Sequence, residues 1–460
     1  MSAISPELLR RVDVSGPRYT SYPTADRFVE AFGEADYMRA LGQRSAGVAV
    51  RPLPLSLYIH IPFCESLCYY CACNKVVTKH HEHGSEYLRY LSREVDLHVA
   101  QLGLGNPVSQ LHLGGGTPTF LSDDELYALM AMLKRNFSFS PQGEYSIEID
   151  PREADPDSVR LLRDLGFNRM SLGVQDFDPR VQRAVNRIQT EAQTFAVLDA
   201  ARRNGFKSIS IDLIYGLPLQ TVEGFAATLD KIIAASPDRL SVFNYAHLPE
   251  RFKPQRRIDA AELPAPAEKL AILRMTGDKL AAAGYVYIGM DHFAKPDDEL
   301  ARAQRDGTLY RNFQGYSTHS NCDLVGIGIT SIGMVGPTYA QNLKTLDAYY
   351  ERIDAGCLPL FKGFTLNRDD EIRRDVITRL ICHFRLRFAD VEARWGIAFA
   401  DYFADELRGL DRMVADQLLR VGAEGIEVLP RGRFLIRNIC MVFDAYLRSA
   451  AVQQRFSRVI

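Results

Sequence analysis

Four cysteines crowd into the segment FCESLCYYCACNK at residues 63–75, in a chain that contains eight cysteines in all. Cys64, Cys68 and Cys71 follow the spacing C-x3-C-x2-C, and Cys73 comes two residues later. The other four are scattered singly, at Cys322, Cys357, Cys382 and Cys440. Structural zinc usually needs a second, separate pair of ligands, whereas iron–sulfur clusters are often bound by thiolates on one short loop. Three thiolates would leave one iron of a [4Fe–4S] cluster without a protein ligand, which is an open position for chemistry.

Composition excludes several classes of function. The chain has 460 residues, 47% of them hydrophobic, a net charge of −2 and a pI near 6.6. This balance predicts no general attraction to nucleic acid or to anionic membranes. The N-terminus lacks the apolar core of a signal peptide, and no apolar run is long enough to span a bilayer. We therefore expect a soluble cytoplasmic protein, in which clustered cysteines bind metal or act in catalysis rather than form disulfides.

The middle of the chain alternates between strand-like and helix-like segments. The strand-like runs occupy residues 55–61, 109–116, 145–150, 169–175, 208–216, 239–246 and 285–291. Between them lie amphipathic stretches whose ends carry helix signals: capping-box pairs Ser122 with Glu125 and Thr190 with Gln193, and Pro156 after Asp155. Helices between successive strands indicate βαβ units around a parallel sheet.

A doubly wound sheet and a barrel both agree with this alternation. In YSIEID, apolar residues alternate with Ser146, Glu148 and Asp150, and in SISIDLI with Ser210 and Asp212. A strand buried on both faces should instead be almost continuously aliphatic. Polar side chains near the ends of several strands are what a site at the top of a barrel requires, so the pattern favours a barrel.

The two ends of the chain differ from this middle part. Residues 1–50 form an N-terminal extension that begins without helical periodicity, and residues 51–365 contain the alternating segments. Residues 366–460 are predicted to be mainly helical. Within them, IEVLP and RFLIRN on either side of Arg431-Gly432 predict a small hairpin, and the whole resembles a winged helix. The overall charge gives little support to DNA binding by such a module.

The cysteine loop after a first strand resembles that of the radical S-adenosylmethionine (radical SAM) superfamily. A glycine-rich stretch is expected after the second strand, and this sequence has Gly114-Gly115-Gly116-Thr117-Pro118 there. Glycines allow a backbone to approach a ligand closely, and exposed main-chain groups can bind its polar ends. In that superfamily the open iron binds the methionine part of SAM, and electron transfer from the cluster releases a 5′-deoxyadenosyl radical.

Longer motifs are similar to those of the bacterial oxygen-independent coproporphyrinogen III oxidases, from near residue 10 to the C-terminus. They include PRYTSYPTA at 17–25, YIHIPFC at 58–64, GGGTPT at 114–119, GMDHFAKP at 289–296 and NFQGYST at 312–318. That family is anaerobic and oxidatively decarboxylates two propionates of coproporphyrinogen III, which gives protoporphyrinogen IX for haem synthesis. The resemblance implies a partial (β/α)6 barrel, an N-terminal extension that contributes to the active site, a [4Fe–4S] cluster and two SAM molecules. It also implies a monomer that needs an electron donor and an electron acceptor.

The resemblance also implies roles for individual residues. The cluster ligands would be Cys64, Cys68 and Cys71, while Cys73 would be required without being a ligand. The SAM bound to the cluster would contact Tyr58, Gly115, Glu148 and Ile332. The second SAM would contact Tyr70, Gly116, Thr117, Gln175, Arg187, Asp212 and Ala246. Tyr58 and Cys73 are the residues expected to act in catalysis.

Two other functions also agree with part of this sequence pattern. A related class of haem-binding chaperones shares the barrel and the cysteine loop but lacks the fourth cysteine and the N-terminal extension, both of which this chain has. A zinc-dependent regulator would use the winged-helix-like tail and would require zinc without iron or sulfide. His60, beside the first strand, is expected to be a hydrogen-bonded core residue rather than a ligand.

Overall fold

The computed structural model describes residues 8, 11–45, 53–320 and 322–447. These residues form two compact units. The described parts of Met1–Arg27, Lys269–Ser320 and Leu366–Ile460 make up the first unit, and those of Phe28–Glu268 and Asn321–Thr365 make up the second. The expectation that residues 1–50 contribute to the active site falls partly on residues outside the described ranges.

Seven parallel strands form the centre of the second unit. In chain order they are β1 (Leu55–Ile61), β2 (Asn106–Gly115), β3 (Phe137–Ile149), β4 (Arg169–Gln175), β5 (Ser208–Tyr215), β6 (Arg239–Asn244) and β7 (Asp323–Ile327). From β1 to β6 each strand lies next to its predecessor in the chain, and β7 pairs with the free side of β1. A doubly wound sheet would reverse direction at a switch point, so this order confirms the predicted barrel-type winding.

Three antiparallel strands extend the sheet beyond β7. They are β8 (Ile332–Val335), β9 (Thr338–Asn342) and β10 (Leu360–Thr365), and they follow one another in the sheet as in the chain. A separate parallel pair joins Phe63–Cys64 to Val76–Val77. It encloses the loop that carries the other three clustered cysteines.

Helices separate the strands of the second unit. They are Glu34–Ser45, Glu82–Leu102, Asp123–Asn136, Pro156–Leu165, Pro179–Ala184, Glu191–Arg203, Val222–Ala235 and Leu346–Asp354, with 3-10 turns at Pro118–Phe120, Pro151–Glu153, Lys253–Arg257 and Ala260–Glu262. Both predicted capping boxes are present, because Ser122 accepts from the amide of Glu125 and Thr190 from that of Gln193. Asp155 caps the helix that starts at Pro156, as its sequence predicts.

The alternation along the strands separates an apolar face from a polar one. Every second residue of β1 from Leu55 to Ile61 is fully buried and apolar. The residues between them are hydrogen-bonded to the neighbouring strand or to each other: Ser56 donates to Gln110 Oε1 at 2.8 Å. The same holds farther along the sheet, where Ser171 donates to Asp212 Oδ2 at 2.9 Å. This polar face carries the candidate site.

The first unit contains most of the remaining helices and three small groups of antiparallel strands. The helices are Pro266–Ala282, Glu299–Asp306, Arg368–His383, Phe388–Trp395, Phe399–Tyr402, Ala404–Gly409, Asp411–Ala415, Pro430–Arg433 and Ile436–Val442, with 3-10 turns at Ala25–Arg27 and Ala445–Leu447. The strands are Val286–Gly289 with His292–Ala294, Tyr310–Asn312 with Gly315–Ser317, and Arg385–Arg387 with Leu419–Gly422 and Gly425–Val428. No helix among the described residues is both long and apolar enough to cross a bilayer.

Two predictions from the sequence were wrong in this unit. Residues 285–291 do not continue the parallel series, because Val286–Gly289 turns back in an antiparallel hairpin with His292–Ala294. The predicted hairpin around Arg431-Gly432 is instead formed earlier, by Leu419–Gly422 and Gly425–Val428. Pro430 lacks an amide hydrogen and occupies the first position of a short helix, so the segment RFLIRN becomes helical. The mainly helical character of the C-terminal region is confirmed.

Candidate functional site

The cysteine loop is shaped by main-chain and side-chain contacts rather than by its own secondary structure. Cys64 ends the strand that follows β1, and Cys71 donates its amide to Cys68 O at 3.3 Å. Tyr69 donates its amide to Val185 O at 2.9 Å, and Asn186 Nδ2 donates to Leu67 O at 2.7 Å. The segment before Arg187 therefore fixes the middle of the loop.

One cavity in the second unit brings together most of the residues predicted from the sequence. Eleven of them line it: Cys64, Cys68, Tyr70, Cys71, Cys73, Gly115, Gly116, Glu148, Gln175, Arg187 and Asp212. Lys75, Asp150 and Arg152 line it as well. The other four predicted residues, Tyr58, Thr117, Ala246 and Ile332, are not among its lining residues.

Glu148 lies at the centre of a hydrogen-bonded group on β1, β2 and β3. Its Oε2 accepts from Gly115 N at 3.3 Å, and its Oε1 lies 3.2 Å from His112 Nε2. Burial would raise the pKa of Glu148, but the hydrogen bond and charge of His112 and the Gly115 amide outweigh it, so the pKa is lowered. The carboxylate is therefore ionised and has a free side toward the cavity, where it can accept from hydroxyl groups of a ligand.

Tyr58 lies behind this group rather than in the cavity wall. Its ring stacks on His112 with centroids 5.8 Å apart, and its Oη lies 3.0 Å from His60 Nδ1. His60 is buried and its Nε2 lies 3.0 Å from Asn74 O, which agrees with the prediction of a hydrogen-bonded core histidine. His112 was missed by sequence reasoning; the only signal was its position on a strand with polar alternation.

The glycine-rich stretch has no room for side chains. A Cβ on Gly115, whose φ is +121°, would lie 2.8 Å from His60 Cε1 and from Ile61 O. A Cβ on Gly116 would overlap Phe63 O. Thr117 is buried next to it and accepts the Asp150 amide at 3.3 Å, which ties this stretch to the end of β3. The backbone of the stretch can therefore approach a ligand in the cavity closely.

A second charged group surrounds Cys68. Arg187 Nη1 donates to Asp150 Oδ2 at 2.9 Å, and Arg152 Nη2 donates to the same oxygen at 2.6 Å. Burial would raise the pKa of Asp150, but Arg187 and Arg152 hold it below its usual range. Both guanidinium groups also reach Cys68 Sγ, at 3.5 Å from Arg187 and 3.6 Å from Arg152. Sequence reasoning missed Arg152 and named Asp150, which directly follows β3, only as part of the polar alternation and not as a site residue.

Four further predicted residues differ in the groups that they can present to a ligand. Gln175 has a positive φ of 69°, and its Oε1 is buried without a hydrogen-bond partner within the described residues. Burial raises the pKa of Asp212 to about 6 against hydrogen bonds from Ser241 and Ser171. Ile332 begins β8 with its main chain packed against Gly326, where a Cβ would lie 2.8 Å from Ile332 C. Ala246 lies just beyond the end of β6.

Comparison with known proteins decides the family. A model of the radical SAM superfamily matches residues 58–232, and one described as the HemN C-terminal domain matches residues 366–435. Oxygen-independent coproporphyrinogen III oxidase of Pseudomonas aeruginosa is 55% identical over 457 residues, which is 99% of this chain and 98% of the relative. The Escherichia coli protein of that name is 53% identical and covers 98% of both chains. The chain belongs to the oxygen-independent coproporphyrinogen III oxidase family.

A solved structure gives the same result for the fold. The coproporphyrinogen III oxidase (HemN) of Escherichia coli, described as a radical SAM enzyme, superimposes with a TM-score of 0.89 at 53% identity. The match covers 93% of this chain and 97% of the other. As a radical SAM member of this oxidase family, the chain is an oxidoreductase that uses a [4Fe–4S] cluster and SAM.

The cavity suits the cofactors of this oxidase family. Four thiols of one short segment line it, three of them with the C-x3-C-x2-C spacing, and the cysteines of the described residues form no disulfide. Within the described ranges, no three or more His, Cys, Asp or Glu side chains lie close enough together to hold a single metal ion. A [4Fe–4S] cluster does not need such convergence, because each thiolate binds a different iron. Hydrogen bonds from two guanidinium groups to Cys68 Sγ would stabilise a thiolate there.

Cys73 differs from the other three cysteines in its contacts. Its thiol is hydrogen-bonded to Cys71, and this bond is the main cause that lowers the pKa of Cys71. Cys73 is exposed in the cavity wall, whereas Cys68 is buried. The expectation that Cys73 is required without being a cluster ligand stays a prediction.

Proposed function

We propose that this chain oxidatively decarboxylates two propionate side chains of coproporphyrinogen III to vinyl groups without oxygen, which gives protoporphyrinogen IX. The observation that carries the proposal is the cavity in which three thiols, the glycine-rich stretch and Glu148 meet. The near full-length similarity to coproporphyrinogen III oxidases supports the choice of substrate. For each propionate, one hydrogen atom, carbon dioxide and one electron leave the side chain.

In this proposal Cys64, Cys68 and Cys71 bind the cluster, and Cys73 supports Cys71. The cluster and SAM, when bound, supply a 5′-deoxyadenosyl radical that removes a hydrogen atom from the propionate. Glu148 accepts from hydroxyl groups of SAM, and the Gly115 backbone lies beside the cofactor. Tyr58 would contact the SAM bound to the cluster and also positions Glu148 through His112 and His60, and Ile332 would pack on the same SAM. The chain's own residues thus bind and orient, while the cofactor provides the reactive species.

A second SAM molecule is part of the proposal. Its site would lie on the Arg187 side of the cavity. The residues assigned to it are Tyr70, Gly116, Thr117, Gln175, Arg187, Asp212 and Ala246. The buried Oε1 of Gln175, which lacks a hydrogen-bond partner within the described residues, supports this assignment. Arg187 Nη1 and Nη2 donate to Asp150 and to Gly173 O, and its Nε is buried without a hydrogen-bond partner within the described residues, so this donor could serve a carboxylate.

The proposal also covers the location, the oligomeric state and the partners of the enzyme. We expect a cytoplasmic monomer that takes electrons from a donor for the cluster and passes electrons from the substrate to an acceptor. The net charge of −2 supports a protein without nucleic-acid or membrane partners.

One anaerobic experiment tests the function. The protein is reconstituted with iron and sulfide and incubated with coproporphyrinogen III, SAM and a chemical reductant, and the porphyrins are then oxidised and separated by chromatography. We expect protoporphyrin together with 5′-deoxyadenosine, and neither product from Cys68→Ser. Formation of 5′-deoxyadenosine with no decarboxylated porphyrin would contradict the proposed substrate.

A further inference from the structure

Helix Glu82–Leu102 places two polar side chains on its buried face. Tyr87 and Glu94 are two turns apart on the side that also carries Leu91 and Val95, and all four are 0% exposed. A buried carboxyl group is costly unless its hydrogen-bonding capacity is satisfied, and a leucine would fill this face at no such cost. The partners of these two groups indicate what they do.

Both side chains bind consecutive amides in the turn between β7 and β8. Glu94 Oε2 accepts from Gly328 N at 2.8 Å, and Tyr87 Oη accepts from Ile329 N at 2.9 Å. Asn342 donates both to Glu94 Oε1 at 2.6 Å and to Gly328 O at 3.0 Å. Tyr349 Oη completes the group by donating to Glu94 Oε2 at 2.5 Å. Hydrogen bonds therefore hold the turn at the amides of Gly328 and Ile329 and at the carbonyl of Gly328.

Tyr87 also binds the end of β1. Its Oη donates to His60 O at 2.9 Å, so one hydroxyl joins the main chain of His60 to that of Ile329. The approach is close, because a Cβ on Gly328, whose φ is +95°, would lie 2.8 Å from His60 O and would overlap Tyr87 Oη. Tyr87 thus sets the spacing between β1 and the turn.

The hydrogen bonds of Tyr87 join two segments, the end of β1 and the turn before β8. Each of these segments carries a residue assigned to the SAM site. On one side, the His60 ring contacts Tyr58 Oη and Asn74 O, each at 3.0 Å, and lies beside Gly115. On the other side, the turn leads directly into Ile332 at the start of β8. Loss of the Tyr87 hydrogen bonds would therefore change the distance between Tyr58 and Ile332.

We propose that Tyr87 and Glu94 are positioning residues for SAM, which hold the turn at 328–331 against His60 so that Tyr58 and Ile332 keep the spacing that SAM requires. The inference rests on the assignment of Tyr58 and Ile332 to the SAM site in the proposed function. Neither Tyr87 nor Glu94 lines the cavity, so neither is a catalytic residue.

The test compares SAM binding with folding. Tyr87→Phe keeps the ring that packs edge-on against Phe63 but removes the hydroxyl. In the cluster-reconstituted protein we expect unchanged iron and sulfide content and a Kd for SAM raised about fivefold, the factor of one net hydrogen bond. The readout is the change that SAM causes in the electron paramagnetic resonance (EPR) spectrum of the reduced cluster. Glu94→Gln replaces one acceptor oxygen, which faces donors from Gly328, Asn342 and Tyr349, by an amide NH2 group, so at pH 8, above the Glu94 pKa of about 7, it should also raise the Kd for SAM.

Tyr90→Phe is the matched control. Tyr90 lies on the same helix, and its Oη donates to Asp354 Oδ2 at 3.0 Å, away from the turn. We expect its Kd for SAM to equal that of the wild type. A Tyr87→Phe protein that melts at a lower temperature but binds SAM as the wild type does would overturn the inference, because Tyr87 would then serve packing alone.

A measurement on the wild type keeps the test valid if either variant fails to fold. Hydrogen exchange at the amides of Gly328 and Ile329 should slow further when SAM binds, and unchanged exchange would also overturn the inference. These readouts do not involve porphyrin. Failure to decarboxylate coproporphyrinogen III would therefore contradict the proposed function alone, and unaltered SAM binding would contradict this inference alone.

Discussion

Arg152 Nη2 lies 3.6 Å from Cys68 Sγ, and the same guanidinium forms a close ion pair with Asp150. Arg187 reaches the same sulfur at 3.5 Å and the same carboxylate at 2.9 Å. Cys68, one of the proposed cluster ligands, therefore accepts from two guanidinium groups. Both guanidinium groups also form ion pairs with Asp150. Positive charge and N–H···S bonds at a ligand sulfur favour the reduced, more negative state of a cluster.

Replacing Arg152 with methionine should lower the reduction potential of the cluster. The side-chain volume is kept, while one donor to Cys68 Sγ is lost. The loss of about 1 kcal/mol of differential stabilisation corresponds to roughly 40 mV for a one-electron couple. An EPR-monitored redox titration measures this shift. Arg160→Met, which removes an exposed ion pair with Asp157 on the following helix, should leave the potential unchanged.

The four clustered cysteines should fall into two groups. Cys64→Ser, Cys68→Ser and Cys71→Ser should each lose the brown colour of the cluster and all activity, because a serine hydroxyl is a poor iron ligand. Cys73→Ser should keep the cluster, since Cys73 contacts Cys71 and is not one of the three proposed ligands, but should lose product formation. Iron and sulfide analysis beside porphyrin analysis separates the two groups. Normal turnover by Cys73→Ser would show that this thiol is dispensable.

Local sequence patterns were sufficient for much of the fold. The strands 55–61 and 169–175 have the predicted bounds, and the caps at Ser122 and Thr190 form as predicted. Such features depend on residues a few positions apart. Residues 285–291 have the composition of another parallel strand, yet their hairpin with His292–Ala294 depends on a pairing choice that composition does not encode.

For the site, the sequence could predict residue types and spacing but not their partners. The cysteine loop and the glycine-rich stretch follow motifs that are readable in one dimension, and the structure brings both to one cavity. The pairings of Arg152 with Cys68, of Arg187 with Asp150 and of His112 with Glu148 join residues on different elements. Tyr87 and Glu94 resemble ordinary positions on a helix until the turn at Gly328 is placed beside them.

Removing the carboxylate of Glu148 should weaken SAM binding and cleavage. Glu148→Ala loses an ionised acceptor, and hydrogen bonds to charged groups contribute about 1.5–3 kcal/mol, so the Kd for SAM should rise by roughly tenfold or more. The yield of 5′-deoxyadenosine in single turnover is the measurement. Glu223→Ala is the control, because Glu223 is an exposed carboxylate that does not line the cavity. A normal yield from Glu148→Ala would remove Glu148 from the site.

The last prediction concerns the dependence of stability on pH. Burial raises the pKa of Glu94 to about 7 from an ordinary value of 4.5, in spite of donors from Tyr349, Gly328 and Asn342. The groups around it add no positive charge, since Tyr37 and Tyr349 are neutral and burial lowers the pKa of His98 to about 4. The folded state therefore holds the proton more tightly than the unfolded state.

Because the folded-state pKa is the higher one, this contribution to stability is complete below pH 4.5 and is lost as the pH rises through 7. The loss is up to about 3 kcal/mol, from 1.36 kcal/mol per pKa unit. Glu94→Gln carries no titrating proton, so its denaturation midpoint in urea should fall less than that of the wild type between pH 5 and pH 8. Exposed Glu223→Gln should follow the wild type. Parallel profiles for Glu94→Gln and the wild type would show that Glu94 stays ionised throughout this range.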